Sequence, residues 1–202
     1  MIKEPKILVV DDEPQNLELL SAYLEKAGYN NIATASNGIE ALKLVDGNPP
    51  DLILLDVMMP KMNGFELCKK LKDDSRTRLI PIVIITALRD VEDKIKALDL
   101  GADEFLSKPF NRAELMARVR ALLKMKHLND NLEAAEDVIF TLARTIEARD
   151  RYTEGHCERV SDFGITLAKE IGLSENEQKA LRNGGILHDI GKIAIDEAIL
   201  NK

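Results

Sequence analysis

Apolar positions fall in short blocks through the first 125 residues and then change to a helical rhythm. Residues 6–10, 32–35, 51–55, 81–86 and 103–106 are rich in Ile, Leu and Val. Runs this short read as strands, the longest of them buried on both faces. Amphipathic stretches lie between them. Leu17, Leu20, Leu24 and Ala27 form one stripe after Pro14, and Gly28 closes it. Asn37 with Glu40, Asn63 with Glu66, Asp90 with Asp93 and Asn111 with Glu114 mark later helix starts. The Asn–Glu pairs are capping-box-like. Five βα units of this kind predict an α/β domain with a parallel sheet covered by helices.

Charged residues follow the apolar runs. Asp11 and Asp12 come after Lys6-Ile7-Leu8-Val9-Val10, Asp56 after Leu52-Ile53-Leu54-Leu55, and Lys108 after Phe105-Leu106, while Thr86 ends the fourth run. Ligands of parallel sheets bind beyond the carboxyl ends of the strands, where all five residues would sit. Three carboxylates meeting there repel one another unless a divalent cation neutralises them. Taken singly, Asp11 or Asp12 also suits a helix cap, Asp56 a turn and Phe105 plain core packing.

Together these residues resemble the receiver domain of two-component response regulators. The likeness covers about residues 5–125. It rests on Val9-Val10-Asp11-Asp12-Glu13, Leu55-Asp56-Val57-Met58-Met59-Pro60, Asn63-Gly64, Ile85-Thr86-Ala87 and Lys108-Pro109-Phe110. It implies a flavodoxin-like five-stranded sheet of order 2-1-3-4-5. It further implies that Asp56 accepts a phosphoryl group from the phosphohistidine of a sensor histidine kinase. Asp11, Asp12, Asp56 and the carbonyl of Met58 would hold magnesium, Phe105 would be the aromatic switch, and the Lys108–Pro109 bond would be cis. The chemistry is consistent with that set. A carboxylate attacks phosphorus in line while negative charge spreads over three oxygens, which magnesium, the Lys108 ammonium and the Thr86 hydroxyl can share.

No Gly or Pro interrupts residues 111–154. Ala121, Met125, Leu128, Leu132, Ala135, Ile139, Leu142 and Ile146 alternate at spacings of four and three, a heptad seam. The connector therefore predicts a two-chain coiled coil, and hence a homodimer, or a signalling helix shared by both domains, or else a single amphipathic helix lying on its own domain. His127 on this stretch reads as a surface residue. Further on, Val160, Phe163, Leu167 and Ile171 share a helical face that Gly172 ends, and Ser174 with Glu177 forms another capping box.

The segment Leu187-His188-Asp189-Ile190-Gly191-Lys192-Ile193, with His156 upstream and Arg159-Val160 behind it, resembles the start of an HD-GYP domain. That likeness implies an all-α metal phosphodiesterase acting on cyclic di-GMP, with His156, His188 and Asp189 as ligands of Fe or Mn and Lys192 on substrate phosphate. Cys157 reads as a small helix residue, or as a soft fourth ligand. Tyr152 stands where some members carry a glutamate ligand for a third metal, with Glu154 nearby but out of place. The family's later ligands and its Gly-Tyr-Pro segment do not occur within the 202 residues. The domains then divide as a receiver over 1–124, a connector over 125–145 and a partial HD domain over 146–202.

Charge narrows the partners. Residues 126–202 carry 10 basic and 15 acidic side chains, a poor surface for DNA phosphates. No apolar run spans a bilayer, and Lys3-Glu4-Pro5-Lys6 interrupts any secretory start. Two cysteines, Cys68 and Cys157, form no CxxC pair, so the chain reads as reduced and cytoplasmic. The expected activity is phosphorylation on Asp56 controlling a cyclic di-GMP phosphodiesterase output, with the output incomplete and inactive in these 202 residues. The rivals are a non-catalytic, phosphorylation-dependent dimerisation module and an HD phosphohydrolase of another nucleotide.

Overall fold

The computed structural model describes residues 4–87, 91–148, 155–196 and 199. The chain forms two compact units, Met1–Asn129 and Asp130–Lys202.

In the first unit, strands β1 (Ile7–Val10), β2 (Ile32–Ala35), β3 (Leu52–Leu55), β4 (Ile82–Thr86) and β5 (Glu104–Ser107) form one parallel sheet. Its order is β2-β1-β3-β4-β5, as expected from the receiver likeness. Helices α1 (Pro14–Glu25), α2 (Gly38–Gly47), α3 (Gly64–Asp73) and α4 (Val91–Asp99) alternate with the strands, and α5 (Arg112–Glu147) follows β5. β1, β3 and β4 are buried along their whole length, which is why they read as unbroken Ile, Leu and Val. Two apolar cores form, one on each face: Leu8, Val10, Ile53, Leu55, Ile82 and Ile84 point to one, and Ile7, Val9, Leu52, Leu54, Val83 and Ile85 to the other. Each buried aliphatic side chain contributes roughly 1.5–3 kcal/mol.

Register places the site. Val10 pairs with Leu55, Leu55 with Ile84, and Thr86 with Ser107. The residues after β1, β3 and β5 are Asp11, Asp56 and Lys108, so the same edge collects all three.

Local chemistry explains the helix ends. Asn63 and Glu66 close a full capping box. Asn37 accepts from the Glu40 N–H, but the Glu40 carboxylate turns back to the N–H and hydroxyl of Ser36. Asn111 accepts from the Ala113 N–H, and Glu114 pairs with Arg118 at 2.7 Å instead of completing a box. Asp90 lies outside the described residues. α1 ends at Glu25, so Ala27 is not part of its stripe, and Gly28 turns the chain at φ 91°.

In the second unit, the C-terminal part of α5 is joined by α6 (His156–Glu170), α7 (Glu175–Leu187) and a 3-10 turn, Ile190–Ala194. Ser174 and Glu177 form the full capping box expected of them. The apolar face of α6 is turned to solvent: Phe163, Leu167 and Ile171 are 75%, 62% and 63% exposed. The packed face carries the small residues Cys157, Ser161 and Ala168. Gly185 of α7 meets it so closely that a Cβ there would lie 2.8 Å from the Ser161 Cα. Small side chains let the two helices approach, and the large ones point elsewhere. Along α5, Met125, Leu128, Leu132, Ile139 and Leu142 are exposed, while Ile146 is buried. From Met125 to Leu142 these seam positions are thus open to solvent. No described helix is long and apolar enough to cross a membrane.

Candidate functional site

The first site is built on strand ends. Asp56 is 5% exposed and Asp11 2%, and the Lys108 ammonium bridges them, 2.8 Å from Asp11 Oδ2 and 2.8 Å from Asp56 Oδ1. Main-chain bonds lock the frame: the Asp56 N–H donates to the Val10 carbonyl and the Lys108 N–H to the Thr86 carbonyl, each at 2.8 Å. The Lys108–Pro109 bond is cis. Asp56 Oδ2 accepts from the Met58 N–H at 2.5 Å. Gly64 is required behind this turn, since a Cβ there would stand 2.2 Å from the Asp56 carbonyl oxygen.

Asp11 is no helix cap. Its Oδ1 accepts from the Glu13 N–H at 3.0 Å and from Asn16 at 2.9 Å, while Glu13 itself occupies the N-cap without a side-chain bond to the helix N–H groups. Asn16 also donates to Glu13 at 3.0 Å. Sequence reasoning missed Asn16; its place on the first turn of α1, one helical turn past Asp12, was the available signal. Asp12 is exposed beside Asp11, Thr86 is fully buried at the end of β4, and Met58 is exposed. Phe105 is half-buried at the edge of the core, with the Lys94 ammonium 5.6 Å from its ring centre.

Burial pushes the Asp56 carboxyl above its ordinary range, more than the Lys108 hydrogen bond and charge lower it. Burial works against the Lys108 ammonium too, but hydrogen bonds to Asp11 and Asp56 outweigh it and raise its pKa. Two buried carboxylates share one ammonium, Asp12 lies exposed next to Asp11, and the donors are all oxygen. That set fits a hard divalent cation such as magnesium. Asp11, Asp12 and Asp56 could hold it, with the Met58 carbonyl.

The second cluster lies on α6, at the end of α7 and just beyond it. Ligand atoms of His156, His188 and Asp189 lie within 4.8 Å of one another, and the two imidazoles meet edge to face at 5.3 Å. His188 Nδ1–H donates to the Gly185 carbonyl at 2.8 Å, which leaves Nε2 with its lone pair for a metal. The mixed nitrogen and oxygen donors suit a transition ion. Lys192 pairs with Asp189 Oδ2 at 2.8 Å, so its ammonium rests on a candidate ligand. Cys157 is buried next to His156, its thiol pushed up by burial and the nearby Glu147, and its Sγ is not among the ligand atoms that converge. Tyr152 and Glu154 lie outside the described residues, and His127 is exposed.

Comparison with known proteins agrees with this geometry. Residues 7–120 match the response regulator receiver domain family, and residues 153–202 match the HD domain family. RpaA of Synechocystis, a DNA-binding dual master transcriptional regulator, is 48% identical over 120 residues, 59% of this chain and 49% of that one. The response regulator PleD of Caulobacter vibrioides is 50% identical over 131 residues, 65% of this chain and 29% of that one. The chain thus spans half or less of the length of these relatives. A solved receiver domain of a signal transduction histidine kinase from Syntrophus aciditrophicus superposes with a TM-score of 0.56 at 39% identity, covering 59% of this chain and 90% of that one. Receiver domains bind magnesium and imply a histidine kinase partner, and HD domains bind metals. The chain belongs to the response regulators, with a receiver domain followed by an HD domain fragment.

Proposed function

We propose that Asp56 takes a phosphoryl group from the phosphohistidine of a sensor histidine kinase, and that this event controls the helical output. One observation carries the reading: Lys108 Nζ stands 2.8 Å from both Asp11 and Asp56, so an ammonium is already aimed at the acceptor carboxylate. Asp11, Asp12, Asp56 and the Met58 carbonyl are the magnesium set. When bound, magnesium offsets charge on the transferring group. Asp56 Oδ2 is held by the Met58 N–H, which orients the carboxylate for in-line attack. Lys108 exchanges one carboxylate contact for a phosphoryl oxygen, and the Thr86 hydroxyl donates to another. Phe105 at the core edge is the switch that reads the movement of Thr86.

The output we propose is cyclic di-GMP hydrolysis at a binuclear centre of Fe or Mn, with His156, His188 and Asp189 among its ligands and Lys192 on substrate phosphate. Three ligands do not complete such a centre, so these 202 residues are assigned phosphorylation without robust turnover. The proposed boundaries are a receiver over 1–124, a connector over 125–145 and HD residues from 146, acting in the cytoplasm and not on DNA.

Titration with beryllofluoride and magnesium, followed by amide NMR, tests the phosphoacceptor. The native chain responds at Thr86 and Lys108, and Asp56→Asn does not; equal responses from both refute the reading.

A second reading, a phosphorylation-dependent dimer, is favoured by the exposed stripe of Met125, Leu128, Leu132, Ile139 and Leu142. Light scattering with and without residues 126–202 decides it: mass that rises with concentration only when they are present supports the dimer, and a strictly monomeric chain rejects it.

A further inference from the structure

We infer that Glu147 is a positioning residue that fixes His156 against His188 and Asp189. This rests on reading that cluster as a metal site.

α6 begins at His156, directly after Gly155 at φ 67°, and its N-cap has no side-chain hydrogen bond. The first-turn N–H groups of a helix have no acceptor within the helix, and glycine can supply none. Glu147 supplies one from another helix. It is the last residue of α5, is 5% exposed, and its Oε1 accepts from the Cys157 N–H at 2.9 Å. A carboxylate accepting a main-chain N–H at a helix N-terminus is charge-assisted and favoured by the helix dipole. Cys157 follows His156 directly, so this bond sets the turn on which the imidazole rides. One turn earlier on α5, Arg144 pairs with Glu158 at 3.0 Å, a second tie to the first turn of α6.

His188 is anchored separately. Its Nδ1–H rests on the Gly185 carbonyl, and Gly185 packs on Ser161. The two histidines are therefore held by different hydrogen bonds, His188 by its own bond to Gly185 and His156 by the Glu147–Cys157 bond at the start of α6, and only the second passes through Glu147. Glu147 is not among the ligand atoms that converge. Its effect is exerted through the backbone, so any shift at the end of α5 is expressed at His156 first.

Glu147→Gln, Glu147→Asp and Glu147→Ala in the 202-residue chain test this. Gln keeps an acceptor at the same reach, Asp keeps the charge but is one methylene short, and Ala removes both. Metal-free imidazole NMR gives the first readout. His156 signals stay in place in Gln, move in Asp and Ala, and lose the through-space contact to His188, whose own bond to Gly185 persists. Mn2+ added over saturating Mg2+, which occupies the receiver site, gives the second through paramagnetic broadening of the His156 signals. Ala and Asp weaken that uptake about 10-fold, the scale of removing a group that orients a metal ligand; Gln restores it. Unmoved His156 signals in Asp and Ala overturn the inference, and so does displacement of His156 and His188 together in step with lost thermal stability. Should Ala not fold, Gln against Asp decides. Should the native chain take up no Mn2+, the metal reading fails while the metal-free imidazole signals still settle the role of Glu147.

Discussion

The two units use similar ingredients and reach different degrees of closure. In the receiver unit the largest fully buried side chains line both faces of the sheet, from Ile7 and Leu8 to Ile84 and Ile85. In the helical unit the buried apolar residues are few and mostly small, among them Ala143, Cys157 and Ala168, while Phe163 and Leu167 are exposed. Each unit brings charged or ligating groups together at element ends. In the receiver, strand register fixes Asp11, Asp56 and Lys108 from independent strands. In the helical unit, three candidate ligands converge, with His188 held by a hydrogen bond to Gly185 and the start of α6 by one to Glu147. A site framed by parallel strands inherits its precision from the sheet; one framed by helix ends depends on each cap.

The largest expected effect lies in the chemistry. Asp11→Asn removes a buried partner of Lys108 and a magnesium donor. Phosphorylation of Asp56 by a small-molecule phosphodonor should slow by roughly 100-fold or more, the loss typical of removing one preorganised charge-stabilising group. A rate within a few-fold of native would mean that the strand-end cluster is not the catalytic frame.

Packing comes next. Gly64→Ala places a Cβ against the Asp56 carbonyl and should cost about 3 kcal/mol. Gly185→Ala presses on Ser161 and should cost about 1–2 kcal/mol, confined to the α6–α7 pair. Urea unfolding followed by residue-resolved NMR separates the two. A single shared transition for both variants would erase the distinction between the units.

A smaller effect is set by pH. Burial raises the Asp56 carboxyl, so the folded state holds its proton more tightly than the unfolded chain. The resulting stability is greatest at acid pH and declines as pH rises from 3.8 through the folded value. In magnesium-free buffer, Asp56→Asn should therefore melt a few degrees higher than native at neutral pH, with the gap closing in acid. A lower melting temperature at pH 7 would show that the Lys108 bridge outweighs burial.

The smallest concerns the thiols. Burial pushes Cys68 up to about 11 and also raises Cys157. Both should be alkylated far more slowly in the native chain than in urea at neutral pH. Rapid native labelling of Cys157 alone would mark the helical unit as opening locally.

The receiver was legible because its central strands are buried on both faces and its chemistry falls at the strand ends or one residue beyond. Unbroken apolar runs at β1, β3 and β4 fixed the edge on which Asp11, Asp56 and Thr86 had to lie. What escaped were contacts without a periodic signal. Asn16 reaches Asp11 through a helix-turn geometry that the apolar stripe of α1 does not encode. Glu147 sits in a charged helical stretch where nothing separates a buried carboxylate from a solvated one. The exposed face of α6 escaped for a related reason. Val160, Phe163, Leu167 and Ile171 have the spacing of a core stripe, but Ser161 and Gly185 set the close packing, and small residues carry little hydrophobic signal.

The central claim is that Asp56 is the acceptor within a magnesium-dependent cluster. Mass spectrometric mapping after incubation with a phosphohistidine donor tests it most directly. The account predicts a single phosphoryl group, on the peptide containing Asp56, that is absent in Asp56→Asn and absent when magnesium is chelated. A phosphoryl group on any other residue, or one retained in Asp56→Asn, would contradict it.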